Sequence, residues 1–370
     1  MKTVSRSSES GVALITVMIA IFVLSVLVGA FAFSMKVETK LAMNATHETQ
    51  WLWDGRTLMS KAQEKLMGGP SKCPYDALDA KWAGGPGSEC ETNNFSENDF
   101  EMNHVPLNPM GTRWGKLEMV DLDRFLNVNA LAQPTSPQNE NLMNQIFVAM
   151  GVDVGSIPPI VESIKDWIDA DDVTVNGAES DEYQKMDPPY YAKNKPIDDL
   201  SELLLVKGIT PKMYSRNFGR SPVQQVDRFG RPVEEPDYPI RLDEVLTPIS
   251  SGRVNINTAP RDVLTIIFNG DDAAADRVIK ERALTPAGSS SCPDVRTLLL
   301  NSGFSPPAAE DLQARIFTSK STVYRVVGTP DGSTRKFYGI IARGNGQADW
   351  KLLSFWWRDQ DATTTGKKQE

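Results

Sequence analysis

Seven carboxylates, Asp166, Asp169, Asp171, Asp172, Glu179, Asp181 and Glu182, crowd the stretch IKDWIDADDVTVNGAESDEYQ. Gathering so many anions costs repulsion unless water solvates them or they share a hard cation. Calcium is such a cation, taking roughly six to eight oxygens from carboxylates and backbone carbonyls. An EF-hand is excluded by register: with Asp169 at the first loop position, Thr174 stands at the sixth, where glycine is required, and Ser180 at the twelfth. Two readings fit the acids themselves. One is a calcium loop of another kind, anchored in the core by Trp167 and Ile168; the other is a solvated acidic loop.

Catalysis finds no residues to work with. The chain has two histidines, His47 in a helical stretch and His104 in a polar loop, and no G-x-S-x-G elbow, H-E-x-x-H pair or P-loop. A net charge of -9 with scattered basic residues argues against a nucleic-acid partner, which needs concentrated Lys and Arg, and favours a cationic one. The three cysteines contain no C-x-x-C pair. Cys73 and Cys90 bracket a Gly- and Pro-rich loop that a disulfide would close in an oxidising compartment. Cys292 would then be free and buried, although its pairing with either of the others stays open.

The elements that must carry these residues begin with a charge-free apolar run, GVALITVMIAIFVLSVLVGAFAF, from Gly11 to Phe33. As a helix, Val12 to Phe33 extends roughly 33 Å, enough to cross the hydrocarbon of a bilayer. A secretory signal peptide carries its small-residue cleavage site after the apolar core; here Gly11 precedes it, so cleavage there keeps the helix. Leu41, Ala45, Leu52, Met59, Ala62 and Leu66 then recur at helical spacing and predict an amphipathic stalk, stopped by Gly68, Gly69 and Pro70.

Farther on, KLEMVD (116–121) alternates weakly as a strand. The Asn127-x-Asn129 segment is echoed by Asn255-x-Asn257, and such turns suit a passage from strand into helix. The pattern predicts helices at Asn139–Gly151, Pro158–Ile168, Leu200–Lys207, Pro260–Phe268, Ala273–Ala283, Asp294–Leu300 and Pro306–Phe317. Turns at Gly208-Ile209-Thr210 and Asn269-Gly270-Asp271 resemble those of helix-hairpin-helix units. Asp271, Asp272 and Asp276 would repel phosphate, so these hairpins read as structural. Strands at Thr322–Val327, Lys336–Ala342 and Trp350–Trp357 form an expected antiparallel meander before a frayed tail.

Gly11 with the apolar run after it, the stalk and the late strands together resemble the type IV pilin class. DWIDADD with GAESDEY, then YYAKNKPIDDLSELLLVKGIT and VNINTAPRDVL, in that order along almost the whole chain, are similar to the protein K family of minor pseudopilins in type II secretion. That resemblance implies an α+β, type IV pilin-like fold: a long N-terminal helix plus a small antiparallel sheet, with a large inserted α-helical domain containing helix-hairpin-helix or SAM-like units. It divides the chain into a prepilin leader (1–11), a transmembrane and stalk helix (12–68), a first part of the pilin-like domain (69–130), the insertion (131–318), completing strands (319–358) and a tail (359–370).

It also implies cleavage between Gly11 and Val12 by a prepilin peptidase, which makes Thr16 the fifth mature residue. Most pilins carry a glutamate there to pair with a neighbour's N-terminal amine; the family lacks it, as suits a subunit at a tip with no neighbour above. The family's insertion binds calcium, which puts Asp169, Asp171 and Glu179 first among ligands and Asp166, Asp172 and Asp181 behind them. Minor pseudopilins I and J, other pseudopilins and the bacterial inner membrane are the implied partners, exported substrates are a further candidate, and nucleic acid is not among them. Rival readings are an uncleaved, inner-membrane-anchored calcium-binding periplasmic protein and a helix-hairpin-helix DNA-uptake receptor.

Overall fold

The computed structural model describes residues 9–68, 75–78, 80–83, 115–133, 137–216, 237–284, 294–344 and 349–359. Cys73, Cys90, Cys292 and His104 lie outside them, so the expected disulfide does too. Two compact units divide the chain, residues 1–57 and 58–370.

Helix α1, Glu9–Gly68, starts before Gly11 and Val12 and ends at the first glycine of the Gly-Gly-Pro stop. Its apolar run has no one-sided pattern: Leu14, Ile15, Val17 and Val23 fall on different sides of the helix and are all exposed. A helix that is apolar all round belongs among lipid or other apolar helices, and among the described residues this helix alone is long and apolar enough to cross a membrane. Its hydroxyls are satisfied along the helix itself. Thr16 Oγ1 donates to Ala13 O at 2.9 Å and Ser25 Oγ to Ile21 O at 2.8 Å, which removes much of the cost of polar groups in such a surface.

In the second unit the end of α1 becomes core, with Leu58, Met59, Ala62 and Leu66 at most 1% exposed. They lie on a four-stranded sheet ordered β1 (Gly115–Asp121), β6 (Val323–Pro330), β7 (Arg335–Arg343), β8 (Trp350–Asp359), antiparallel throughout. Two glycines permit the approach. A Cβ on Gly328 would meet Leu58 Cδ1 at 2.9 Å, and one on Gly339 would meet Met59 Sδ at 2.5 Å.

Between β1 and β6 runs a helical insertion: β2 (Leu126–Asn127), α2 (Val128–Leu131), α3 (Pro137–Met150), α4 (Ile157–Ile168), α5 (Ser180–Tyr183), α6 (Pro211–Tyr214), α7 (Leu242–Val245), β3 (Leu246–Thr247), β4 (Val254–Asn255), α8 (Arg261–Ile267), α9 (Asp272–Leu284), α10 (Val295–Asn301), α11 (Pro306–Arg315) and β5 (Phe317–Thr318). The expected α+β class holds. One expected helix differs in kind: Leu200–Leu205 is 3₁₀, opened by an Asp199–Glu202 capping box and closed by a Val206 N to Leu203 O bond.

The echoed Asn-x-Asn turns do lead out of strands. Asn127 Oδ1 accepts from Asn129 N and Ala130 N, Asn255 Oδ1 from Asn257 N, and their strands pair in parallel with β3 and β5. In the α8–α9 hairpin the acids are held by Arg261, 3.2 Å from Asp272 and 2.7 Å from Asp276. A seam of buried carboxylates joins sheet to insertion. Asp121 Oδ2 accepts from Ser321 Oγ and Thr258 Oγ1, each at 2.6 Å, while Asp123 accepts from Ser251 N, Thr322 N, Thr322 Oγ1 and Val323 N.

Candidate metal centre

The acidic loop starts from a well-anchored helix. Apolar residues spaced along one side of α4 bury Ile157, Ile160, Val161, Ile164, Trp167 and Ile168, so the helix end is fixed in the insertion core. Trp167 meets Tyr183 edge to face with centroids 5.2 Å apart, and Tyr183 stacks on Tyr190 at the same distance. Tyr190 Oη donates to Leu205 O at 2.8 Å, which ties the cluster to the 3₁₀ segment. Both ends of the loop therefore stand on rigid ground.

On that base the chain turns sharply. Asp169 caps α4 in an extended conformation, φ -71° and ψ 173°, and Asp171 Oδ1 accepts from Val173 N at 2.9 Å. Returning, the loop crosses α4 at Gly177, where a Cβ would fall 2.1 Å from Asp166 Oδ2 and 2.7 Å from the Glu162 carbonyl carbon. Only a glycine fits so close to the helix backbone. Two residues later Glu179 is delivered to the N-terminus of α5, 4% exposed.

Asp169, Asp171 and Glu179 each offer an oxygen, and the three oxygens lie within 4.8 Å of one another. Two oxygens bound to one calcium at about 2.3–2.6 Å can stand up to about 5 Å apart, so the spacing suits one shared ion. The donor set is also hungry for a cation. Both carboxylate oxygens of Glu179, Oδ1 of Asp169 and Oδ2 of Asp166 are buried without a hydrogen-bond partner, which is costly for anions. Burial, followed by repulsion from Asp166, Asp169, Asp172 and Asp171, pushes the Glu179 carboxyl up to about 7. Burial comes first also for Asp169 and Asp166, both raised, with repulsion among the acids adding to it. The residues fit a hard divalent cation.

The remaining acids take different places. Asp166 is buried on the last turn of α4, beneath the loop. Asp172 is exposed and accepts from Asn194 Nδ2 at 2.9 Å, while Asp181 is exposed in the first turn of α5. Glu182 turns away to Lys185 and Lys207, at 2.6 and 3.1 Å. Sequence reasoning missed Asn194. Its Nδ2 also donates to Asp171 O at 2.9 Å, its Oδ1 is buried without a partner, and its φ is +48°. The visible signal was an Asn beside lysines in YYAKNKP, since Asn tolerates left-handed backbone better than most residues.

Comparison with known proteins converges on one family. Residues 124–217 match the family described as type II secretion system (T2SS), protein K. A type II secretion system protein K of Pseudomonas aeruginosa is 22% identical over 75% of this chain and 73% of its own length. That of Klebsiella pneumoniae is 30% identical over 26% of this chain, an aligned stretch that spans 32% of the Klebsiella protein. In fold, the chain is similar to one in the crystal structure of the GspK-GspI-GspJ complex from the type 2 secretion system of enterotoxigenic Escherichia coli. The TM-score is 0.59 at 21% identity, covering 86% of this chain and 98% of that one.

Proposed function

We propose that this chain, which belongs to the type II secretion system protein K family, is a minor pseudopilin that caps the tip of the periplasmic pseudopilus with pseudopilins I and J and supports protein export across the outer membrane. The role is structural and not enzymatic. Before assembly α1 anchors the chain once in the bacterial inner membrane, with the larger part in the periplasm. A prepilin peptidase cuts between Gly11 and Val12, and the same helix then packs among those of other pseudopilins.

The observation that carries this reading is α1 itself, apolar on all sides from Leu14 to Phe33 and core-forming from Leu58 to Leu66 within one unbroken helix. An all-round apolar surface is equally at home in lipid and among like helices. Thr16 supports a place at the tip: its hydroxyl is bonded to Ala13 O in its own helix, so no charge there calls for a neighbour's amine. Asp169, Asp171 and Glu179 would hold calcium, with Asp166 and loop carbonyls as further oxygens. The ion would supply positive charge that cross-links carboxylates which otherwise repel, fixing the loop against α4 and the aromatic cluster.

Intact-mass analysis of the chain extracted from membranes, with and without prepilin peptidase, tests the assignment. The expected masses correspond to chains beginning at Val12 with the peptidase and at Met1 without it. A chain that keeps Met1 beside an active peptidase while export proceeds would favour the uncleaved, anchored calcium-binding protein.

A further inference from the structure

Away from the metal centre, one face of the four-stranded sheet and the insertion enclose a cleft of about 340 Å³, within the range of about 300–1,000 Å³ typical of small-ligand pockets. Strand register places its sheet wall. Arg325 on β6 lies opposite Ile340 on β7, and Tyr338 on β7 opposite Trp356 on β8, so all four share one face. Tyr338 and Trp356 stack with centroids 5.5 Å apart and planes 12° apart, a flat aromatic floor. Across from them stand Tyr214 on α6 and Asp243 on α7.

The two walls differ in sign. Arg325 and Arg358 make the sheet side cationic, while Asp199 and Asp243 make the insertion side anionic. Arg358 approaches Asp199 only to 3.9 Å, too long for a hydrogen bond. Asp243 is the unfinished group. Ser215 donates to its carboxylate, yet Oδ1 is buried without a partner. Arg241, two residues away, does not serve it, because its guanidinium bonds to Asp237 Oδ1 and Tyr238 O instead. An unpartnered carboxylate oxygen in the wall of a cleft lined by aromatic rings is a receptor for a cationic donor.

We infer that this cleft takes a lysine or arginine side chain from an extended polypeptide, its cationic head bonded to Asp243 Oδ1 and its alkyl stem lying across Tyr338 and Trp356. Arg325 and Arg358 orient the guest, since a cation directed at the sheet would meet theirs. The stem gains burial against the rings while the head gains, in Asp243 Oδ1, an acceptor that has no partner among the described residues. This contact goes beyond the tip-capping role and would hold for the uncleaved protein as well.

Fluorescence anisotropy on the full chain in neutral detergent tests it, using fluorescein-labelled Gly-Ser-Lys-Ser-Gly and the same peptide with norleucine in place of lysine. The lysine peptide is expected to bind about tenfold more tightly, the equivalent of one charge-assisted contact. Asp243→Asn should bring its affinity down to that of the norleucine peptide, and Trp356→Ala should weaken it several-fold. Arg325→Ala, which removes a repelling cation and leaves Asp243 intact, should tighten it and keeps the test open if Asp243→Asn does not fold. Equal binding of the two peptides, or undiminished binding to a folded Asp243→Asn protein, overturns the inference.

Discussion

Glu179 concentrates the tension of the acidic loop in one residue, since it is almost fully buried, both its oxygens lack donors and four aspartates surround it. Its folded pKa, about 7, stands above the ordinary 4.5, so the folded state binds the extra proton between those values. Without calcium, stability should therefore rise as pH falls from about 7 toward 4.5 and level off below, a gain on the order of a few kcal/mol. Thermal melts of the chelator-treated protein at stepped pH would show it, and a melting temperature that falls over this window would remove the buried charge from the account. Glu179→Gln should remove its share of that rise, the rest coming from the buried Asp76 and Asp121 carboxyls, which burial pushes up to about 7 and about 6; it should also raise the metal-free melting temperature and abolish the rise that calcium produces in the native protein. Gly177→Ala acts by shape instead. Its methyl group would stand on Asp166 and the α4 backbone, which should cost about 1–3 kcal/mol as an overpacked contact and lower the melting temperature with or without calcium.

At the scale of elements, the seam between sheet and insertion decides whether β1 and β6 find each other across the helical residues between them. Asp123 bonds Ser251 N at 2.6 Å on one side and the amides of Thr322 and Val323 on the other, at 2.5 and 3.4 Å. Asp123→Ala would strand the amides of half-buried Thr322 and buried Val323, at about 1–3 kcal/mol each, while that of exposed Ser251 turns to water. Denaturant titration of the variant should show a loss of about 3 kcal/mol or more; a shift within about 0.5 kcal/mol, the size of an ordinary surface substitution, would mean that water satisfies the amides. None of this network was legible in the sequence, because partners such as Asp121 and Ser321 stand 200 positions apart and short-range patterns carry no trace of them. The strands were legible, since alternation along 116–121 and 322–327 is local. So were the Asn-x-Asn turns, whose side chains bond amides two residues on. Leu200–Leu205 was legible as a helical turn but not as 3₁₀, because its apolar spacing fits either helix and the choice rests on the Asp199 cap and the extended Val206.

For the molecule as a whole, the boundary that matters lies inside α1 and not at its end. The larger unit begins at Leu58, so the last turns of a helix that starts as an apolar run long enough to cross a membrane are part of a folded core. Deleting residues 1–37 removes the apolar surface and leaves every buried residue of that unit in place. Such a chain should be soluble and monomeric, melt cooperatively and respond to calcium as the full chain does. Deleting residues 1–67 should not yield a folded protein. That cut takes away Leu58, Met59, Ala62 and Leu66, and emptying the space of one large buried side chain costs about 2–5 kcal/mol. Three such losses together reach the total stability of an ordinary domain, about 5–15 kcal/mol. They also uncover the faces of Gly328 and Gly339, which have no side chains of their own to close the gap. Size-exclusion chromatography and calorimetry of the two truncations would decide the matter. A cooperative, calcium-responsive melt from the shorter chain would mean that the sheet and insertion hold together without the helix. The end of α1 would then be a passenger on the core and could not carry load between the helix and the sheet, as the proposed place at a fibre tip requires.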